Sequence, residues 1–199
     1  MSSVPRIYVP SSLRPGEASP LDDNQSKYLL RVMRLNEGDT VRVFNGQDGE
    51  WRASIVQESA KKASIRPLEQ MRQQASTPDL TLLFAPLKKT RTDFVVEKAC
   101  ELGVRRILPV MTEFTQSSRV RSDRLQSVVI EAAEQTERMD IPVVEDDVPL
   151  LKALDAWPVD RPLFYCDEAG DAKAMHDALA GRAPQPAGIL IGPEGGFSP

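Results

Sequence analysis

The feature that most constrains this chain is a change of apolar rhythm ahead of its midpoint. Before Glu69 the apolar residues alternate over short stretches separated by turn-forming residues. After Asp79 they come as strand-length runs spaced by helix-length amphipathic segments. Periods of two and of 3.6 bury different surfaces, so one continuous sheet or one helical bundle cannot accommodate both parts. The polar stretch from Glu69 to Asp79, ending in Thr77-Pro78, has no periodicity and reads as the connection, with 73–79 as the linker proper. The 199 residues therefore divide into a small domain, 1–72, and a larger one, 80–199.

In the first part, Arg6-Ile7-Tyr8-Val9 reads as a strand closed by Pro10, followed by a Ser-, Pro- and Gly-rich loop. A helix is expected from Gln25 to Leu35, with Tyr28, Leu29, Val32, Met33 and Leu35 as its apolar stripe. Lys27, Arg31 and Arg34 recur at three- and four-residue spacing and are expected to line another face. Strands are expected at Thr40 to Phe44, Glu50 to Val56 and Lys62 to Arg66. Asn45-Gly46-Gln47-Asp48-Gly49 supplies hairpin chemistry between the first two. Short strands at this spacing predict a small curled β-domain of the barrel type.

The second part has βαβ rhythm. Strands are expected at Leu80 to Ala85 and Arg106 to Val110, with a helix from Asp93 to Leu102 between them, stopped by Gly103. A long helix from Ser122 is expected to carry Leu125, Val128, Val129, Ala132, Ala133 and Met139 on one face and to end at Ile141-Pro142. Strands at Pro162 to Cys166 and Ala187 to Ile191 flank a helical pattern over Ala172 to Ala180. The fold class is α/β, with a mostly parallel sheet covered by helices on both faces. Tyr28 and Phe94 are expected to pack cores rather than to stack bases.

Charge and composition narrow the function. The net charge of −4 and pI near 5.2 argue against a protein that coats nucleic acid nonspecifically. The charge is uneven: 1–72 holds 11 Lys/Arg against 9 Asp/Glu, 73–129 holds 9 against 6, and 130–199 holds 5 against 14. A local basic face is thus compatible with the acidic whole. No apolar run approaches the roughly 20 residues of a membrane helix, and the N-terminus lacks a signal-peptide core, so a cytoplasmic protein is expected. Two distant cysteines and one histidine, His176, indicate neither a disulfide framework nor a metal site, and leave a Ser-His-Asp triad little to draw on.

The sharpest local signal is Ile189-Leu190-Ile191-Gly192-Pro193-Glu194-Gly195-Gly196-Phe197-Ser198. A buried strand runs into a glycine turn at the C-terminal edge of a parallel sheet, where backbone amides can approach a ligand. It is neither a dinucleotide fingerprint nor a P-loop, and a purely structural turn before a helix has the same spacing. Lys88, Lys89 and Arg91 form a basic cluster that suits phosphate contacts or an ordinary solvated loop. Asp167 and Glu168 end a strand on the same side, either near a ligand or in an exposed turn.

The string Gly192 to Ser198 resembles the cofactor loop of SPOUT-class RNA methyltransferases of the RsmE type. Lys98-Ala99-Cys100-Glu101-Leu102-Gly103-Val104 is similar to that family's Lys-x-x-Glu-Leu-Gly-Val segment. Glu131-Ala132-Ala133-Glu134-Gln135 with Arg138 is similar to its Glu-Ala-x-Glu-Gln-x-x-Arg segment. Arg6 to Val9 and Tyr28 to Leu35 resemble its PUA-like RNA-binding domain. Thr112-Glu113-Phe114-Thr115 stands where many members carry Thr-Glu-Arg-Ser, so no Arg or Ser role is carried to that loop.

The resemblance implies a PUA-like β-barrel followed by a SPOUT α/β domain with a trefoil knot. It also implies S-adenosylmethionine (SAM) as cofactor and methylation of uridine N3 in 16S ribosomal RNA of the small subunit, by a homodimer without metal or membrane. Cofactor contacts are expected from Gly192, Pro193, Glu194, Gly195, Gly196, Asp167 and Glu168, and RNA contacts from Lys27, Arg31, Arg34, Lys88, Lys89 and Arg91. Glu134 and Arg138, four apart on the long helix, are the expected catalytic pair. Ser198-Pro199 reads as the start of a further helix, and the family continues into a segment that threads the knot and closes over the cofactor. The expectation is therefore a chain truncated at its C-terminus, weak in cofactor binding in this form. The alternative, if the polypeptide ends at Pro199, is a noncatalytic RNA-binding or ribosome-assembly factor.

Overall fold

A computed structural model of the chain describes residues 4–75, 77–115, 120–166, 172–193 and 196–197. The chain forms two compact units: Met1–Ser76 with Ala133–Ile141, and Thr77–Ala132 with Pro142–Pro199. The boundary at 76/77 falls within the polar connection, but no periodicity announces the return of 133–141 to the first unit.

The first unit is built on a five-stranded sheet of β1 (Arg6–Tyr8), β2 (Ser19–Pro20), β3 (Thr40–Phe44), β4 (Glu50–Gln57) and β5 (Ala63–Arg72), in the order β1-β3-β4-β5-β2. Register shifts between β4 and β5 near Glu50 and Arg52 add local twist and curl the sheet. The expected barrel is open, because β1 and β2 form the two edges. Alternate residues Val41, Val43, Ala53, Ile55 and Ile65 bury together with Ile7, Val9 and Leu13. Gly49, at φ +77°, carries the chain into β4 where a Cβ would meet the Arg72 carbonyl oxygen, so only glycine fits there.

The expected helix over 25–35 is instead a short α-helix, α1 (Asp23–Lys27), continued by one turn of π-helix, Tyr28–Val32. Asp22 and Gln25 form a reciprocal capping box at its start. The wider turn is closed by the Met33 amide donating to the Tyr28 carbonyl, and Arg34 follows in the left-handed region at φ +56°. This change of pitch buries Leu29 but leaves Tyr28 and Val32 exposed, so Tyr28 does not pack the core as expected.

The second unit holds a parallel sheet of β6 (Leu80–Phe84), β7 (Arg106–Met111), β8 (Val143–Val144), β9 (Val148–Pro149), β10 (Leu163–Tyr165) and β11 (Ala187–Ile191). The order is β10-β11-β6-β7-β8, with β9 also paired to β7. Helices α2 (Lys89–Glu101), α3 (Ser122–Gln135), α4 (Leu150–Asp155) and α5 (Met175–Leu179) intervene. Leu83, Val110 and Leu190 pack on one face with Ala153 and Leu150 of α4. Their neighbours Leu82, Phe84 and Ile107 point to the opposite face and are buried, as are Val96 and Cys100 of α2 and Leu125 and Val129 of α3.

Right-handed crossovers require this split: β6-α2-β7 and β7-α3-β8 step one way across the sheet, while α4 lies on the return. The first helix starts earlier than expected, at Lys89, and exposes Phe94. The long helix ends earlier, at Gln135, because Glu137 takes φ +59°. β2, β8, β9 and α4 are too short for a periodicity to reveal.

Candidate functional site

Three strands of the parallel sheet end side by side. The Ala85 amide just past β6 donates to the Ile191 carbonyl at 3.0 Å, and the Cys166 amide just past β10 donates to the Leu190 carbonyl at 3.0 Å. The chain leaving β11 therefore emerges between the exits of β10 and β6. This C-terminal edge is where open α/β sheets bind ligands, because the strands end there and the loops can diverge.

The described part of the glycine segment is built around Phe197. Its ring returns to the sheet core and sits against Gly192, where a Cβ would lie 2.6 Å from the ring. Tyr165, at the end of β10, meets Phe197 edge to face at 5.3 Å between ring centroids. The Gly196 amide donates to the Pro193 carbonyl at 3.0 Å, and Gly196 takes φ +72°, which a side chain would resist. Tyr165 and Ile191 remain 49% and 43% exposed at this edge, Tyr165 on the Leu190 face of the sheet and Ile191 on the opposite one. Glu194, Gly195, Asp167 and Glu168 lie outside the described residues.

The basic cluster belongs to the same edge, because only 85–88 separates β6 from α2. Thr92 fixes that exit: its hydroxyl donates to the Leu87 carbonyl at 2.9 Å and accepts from the Leu87 amide at 3.0 Å. Lys88 is the N-cap of α2, and Lys88 and Arg91 are exposed. Two cations and the positive end of a 13-residue helix thus follow the β6 exit, whose Ala85 amide is bonded to the residue before the glycine turn. Among the described residues no group of three or more His, Cys, Asp or Glu side chains is placed to hold a metal ion. No described helix is long and apolar enough to cross a membrane.

Two expected groupings change. Glu134 and Arg138 do not share a helix face, since α3 ends between them at Gln135. The Glu134 carboxylate accepts from the Tyr8 amide at 2.9 Å, and the Arg138 guanidinium forms a two-pronged pair with Asp140 at 2.9 Å. Both belong to the first unit: the Glu134 side chain ties 133–141 to β1, and the Arg138 pair with Asp140 lies within the returning segment. Lys27, Arg31 and Arg34 are all exposed but do not form one row, because the π-turn and the left-handed Arg34 redirect the chain. Lys27 and Arg31 instead share a cleft with Lys61 and Lys62, which the sequence analysis missed. The adjacent lysines at the tip of the β4-β5 hairpin were the available signal.

A second feature unforeseen in the sequence is a buried charge cluster. Glu50 is fully buried and accepts from Arg6 at 2.9 Å, Arg42 at 2.5 Å and Arg72 at 3.3 Å. Arg6 also donates to the carbonyls of Ala133 at 2.7 Å, Glu134 at 3.2 Å and Arg138 at 2.8 Å, and lies over the Phe44 ring at 3.8 Å. Burial presses the Arg6 pKa downward against the hydrogen bond and charge of Glu50. The cluster locks the returning segment onto the first unit.

Comparison with known proteins places this architecture. Residues 73–199 match the model of an RNA methyltransferase domain, and residues 21–68 match an RNA methyltransferase PUA domain. The chain is 31% identical over 195 residues to ribosomal RNA small subunit methyltransferase E of Rickettsia conorii, covering 97% of this chain and 79% of that protein. It is 31% identical over 179 residues to the protein of the same name from Synechocystis, covering 87% of this chain and 58% of that one.

Among solved structures, ribosomal RNA small subunit methyltransferase E from Neisseria gonorrhoeae, bound to SAM, superposes with a TM-score of 0.86 at 29% identity. That alignment covers 98% of this chain and 81% of the other. A methyltransferase from Legionella pneumophila, in complex with SAM, gives 0.84 at 28% identity, covering 98% and 82%. With the open curled sheet, the parallel sheet and the glycine turn at its C-terminal edge, these matches show that the chain belongs to the ribosomal RNA small subunit methyltransferase E family.

Proposed function

We propose that this protein transfers a methyl group from SAM to N3 of a uridine in 16S ribosomal RNA of the small ribosomal subunit. The observation that carries the reading is the edge where β10, β11 and β6 end together around the Gly192 to Phe197 segment, in a chain of an RNA methyltransferase family. In this reading the SPOUT trefoil knot, a cytoplasmic location and a homodimer accompany the activity.

The residues of the edge suit the cofactor. Tyr165 offers apolar surface to a purine and Gly192, Pro193 and Gly196 offer backbone groups, while Glu194, Gly195, Asp167 and Glu168 are assigned to the same site as further cofactor contacts. When bound, the sulfonium supplies an activated methyl group. What remains for the protein is to hold the uracil N3 in line with it and to favour loss of the weakly acidic N3 proton. Cationic donors near the edge stabilise the imide charge that develops and hold the flanking phosphates, a task assigned to Lys88, Lys89 and Arg91. Glu134 and Arg138, expected as the catalytic pair, are assigned to orienting the RNA rather than to moving a proton.

Calorimetric titration of the full-length protein with SAM tests the reading, which expects saturable binding at one site per chain. Absence of binding across millimolar cofactor would favour a noncatalytic RNA-binding or ribosome-assembly factor.

A further inference from the structure

We infer that Phe114, at the exit of β7, is a stacking platform for a nucleobase that flanks the acceptor uridine. The inference rests on the proposed RNA substrate and adds a contact that neither the glycine turn nor the basic cluster supplies. β6 and β7 are parallel neighbours paired as far as Phe84 and Pro109, so residues 112–115 leave the sheet on the same edge as 85–88. The order β11-β6-β7 puts that exit one strand, about 5 Å, from the β6 exit and two strands, about 10 Å, from the exit of β11. A base next to an acceptor held at the glycine turn lies within that reach.

In the second unit every other aromatic ring is buried or faces a ring or a cation. Phe84 is buried, and Tyr165 and Phe197 meet edge to face at 5.3 Å. Lys98 lies over Phe94 at 5.5 Å, Arg161 over Trp157 at 5.4 Å and Arg182 over Phe164 at 5.7 Å. Phe114 is 47% exposed, and among the described residues no ring or cation meets it. Single-stranded RNA bases stack on such rings, whatever the base, because each base has a π-face. Thr112-Glu113-Phe114-Thr115 stands where many family members carry Thr-Glu-Arg-Ser, so here a planar ring takes the place of a planar guanidinium. Both planes stack on bases, and the ring does so without attracting phosphates.

The ring is carried on a closed turn. The Thr112 amide donates to the Thr115 hydroxyl at 2.8 Å, the two threonine hydroxyls are bonded at 2.9 Å, and the Thr115 amide donates to the Thr112 carbonyl at 3.2 Å. With the backbone fixed in this way, little chain entropy is lost when a base settles on the ring. One ring is far too small an area to hold a protein partner, whereas a single base covers it. Lys88 and Arg91, exposed beyond the neighbouring β6 exit, suit the phosphates that accompany that base.

The test uses full-length protein carrying Phe114→Ala, Phe114→Leu or Phe114→Trp. The probes are 16S ribosomal RNA and a single-stranded oligonucleotide with 2-aminopurine beside a uridine. The side chain is half exposed, so the fold should persist, and circular dichroism checks it. Phe114→Ala and Phe114→Leu should each weaken RNA binding at least about fivefold, raise the KM for RNA by a similar factor and relieve the quenching of 2-aminopurine. Phe114→Trp should restore all three, because stacking requires a plane and not merely an apolar side chain. The slope of log affinity against log salt should match that of the parent, since stacking releases no counterions. Phe94→Ala, which removes the ring that Lys98 covers, should bind RNA as the parent does. Parent-like binding by Phe114→Ala or Phe114→Leu, a flattened salt slope, or a Phe94→Ala loss equal to that of Phe114→Ala would overturn the platform. A protein whose RNA binding depends on Phe114 in this way yet transfers no methyl group would refute the proposed activity and leave the platform standing.

Discussion

Glu50→Gln should uncouple the returning segment 133–141 from the first unit. The native carboxylate accepts from three arginines with both oxygens and is itself fully buried. Glutamine removes the negative charge, accepts at one oxygen and turns an amide donor toward guanidinium donors. Arg42 and Arg72 keep a second partner in Glu137, at 2.9 and 3.4 Å. Arg6 has no second carboxylate among its contacts, and only 6% of its side chain is exposed, so the penalty falls on it.

Removing one partner of a buried pair costs about 3 to 5 kcal/mol, and the three carbonyls that still accept from Arg6 place the expected loss near 3 kcal/mol. That is a large share of the roughly 5 to 15 kcal/mol that holds a typical domain together. Urea unfolding gives the magnitude, and hydrogen exchange followed peptide by peptide gives the place, with faster exchange expected in β3, β4 and 133–141. A loss below about 1 kcal/mol, the range of a surface pair, would refute the argument that this cluster locks the segment.

Other outcomes follow from the same contacts. Gly192→Val drives a side chain into the Phe197 ring and should weaken SAM binding at least about tenfold, about 1.4 kcal/mol, while the sheet stays folded; calorimetry on the folded variant decides. Asp48 is held below the usual carboxyl range by the Leu13 amide and then by the Asn45 side chain, and Glu137 by its hydrogen bond to Arg42 and the charge of that arginine. Each folded pKa is depressed, so this stability is complete above the unfolded value and is lost as pH falls through the folded value. Below about pH 4 the first unit should weaken, and Asp48→Asn should blunt that slope in unfolding curves taken from pH 6 to about pH 3. Light scattering of the full-length protein should give a dimer mass at micromolar concentration, and a monomer mass would remove the homodimer from the proposal.

The strands and the sheet edge were legible because they rest on local patterns. Alternation marked β3 and β4, and the apolar runs at Leu80 and Ile189 marked central parallel strands whose loops had to share one edge. The π-turn was not legible: Tyr28 to Val32 has the composition of an α-helix, and the wider pitch, which buries Leu29 and leaves Tyr28 and Val32 exposed, has no local signature. The return of 133–141 was hidden for a different reason. Its apolar spacing continues the α3 pattern, and only the left-handed Glu137 and the distant Arg6, with no local signature, turn the chain away. Hence Glu134 and Arg138 read as a helical pair while serving separate contacts. Lys62 was expected to open the third strand, and the structure places it with Lys61 in the connection between β4 and β5.

The most direct measurement of the central claim is nucleoside analysis of unmodified 16S ribosomal RNA, free and in the small subunit, after incubation with the full-length protein and methyl-labelled SAM. Label is expected in N3-methyluridine at a single site and nowhere without cofactor. Label on uracil carbon 5 or on a ribose oxygen, or no transfer to either RNA form by a protein that binds SAM, would contradict it.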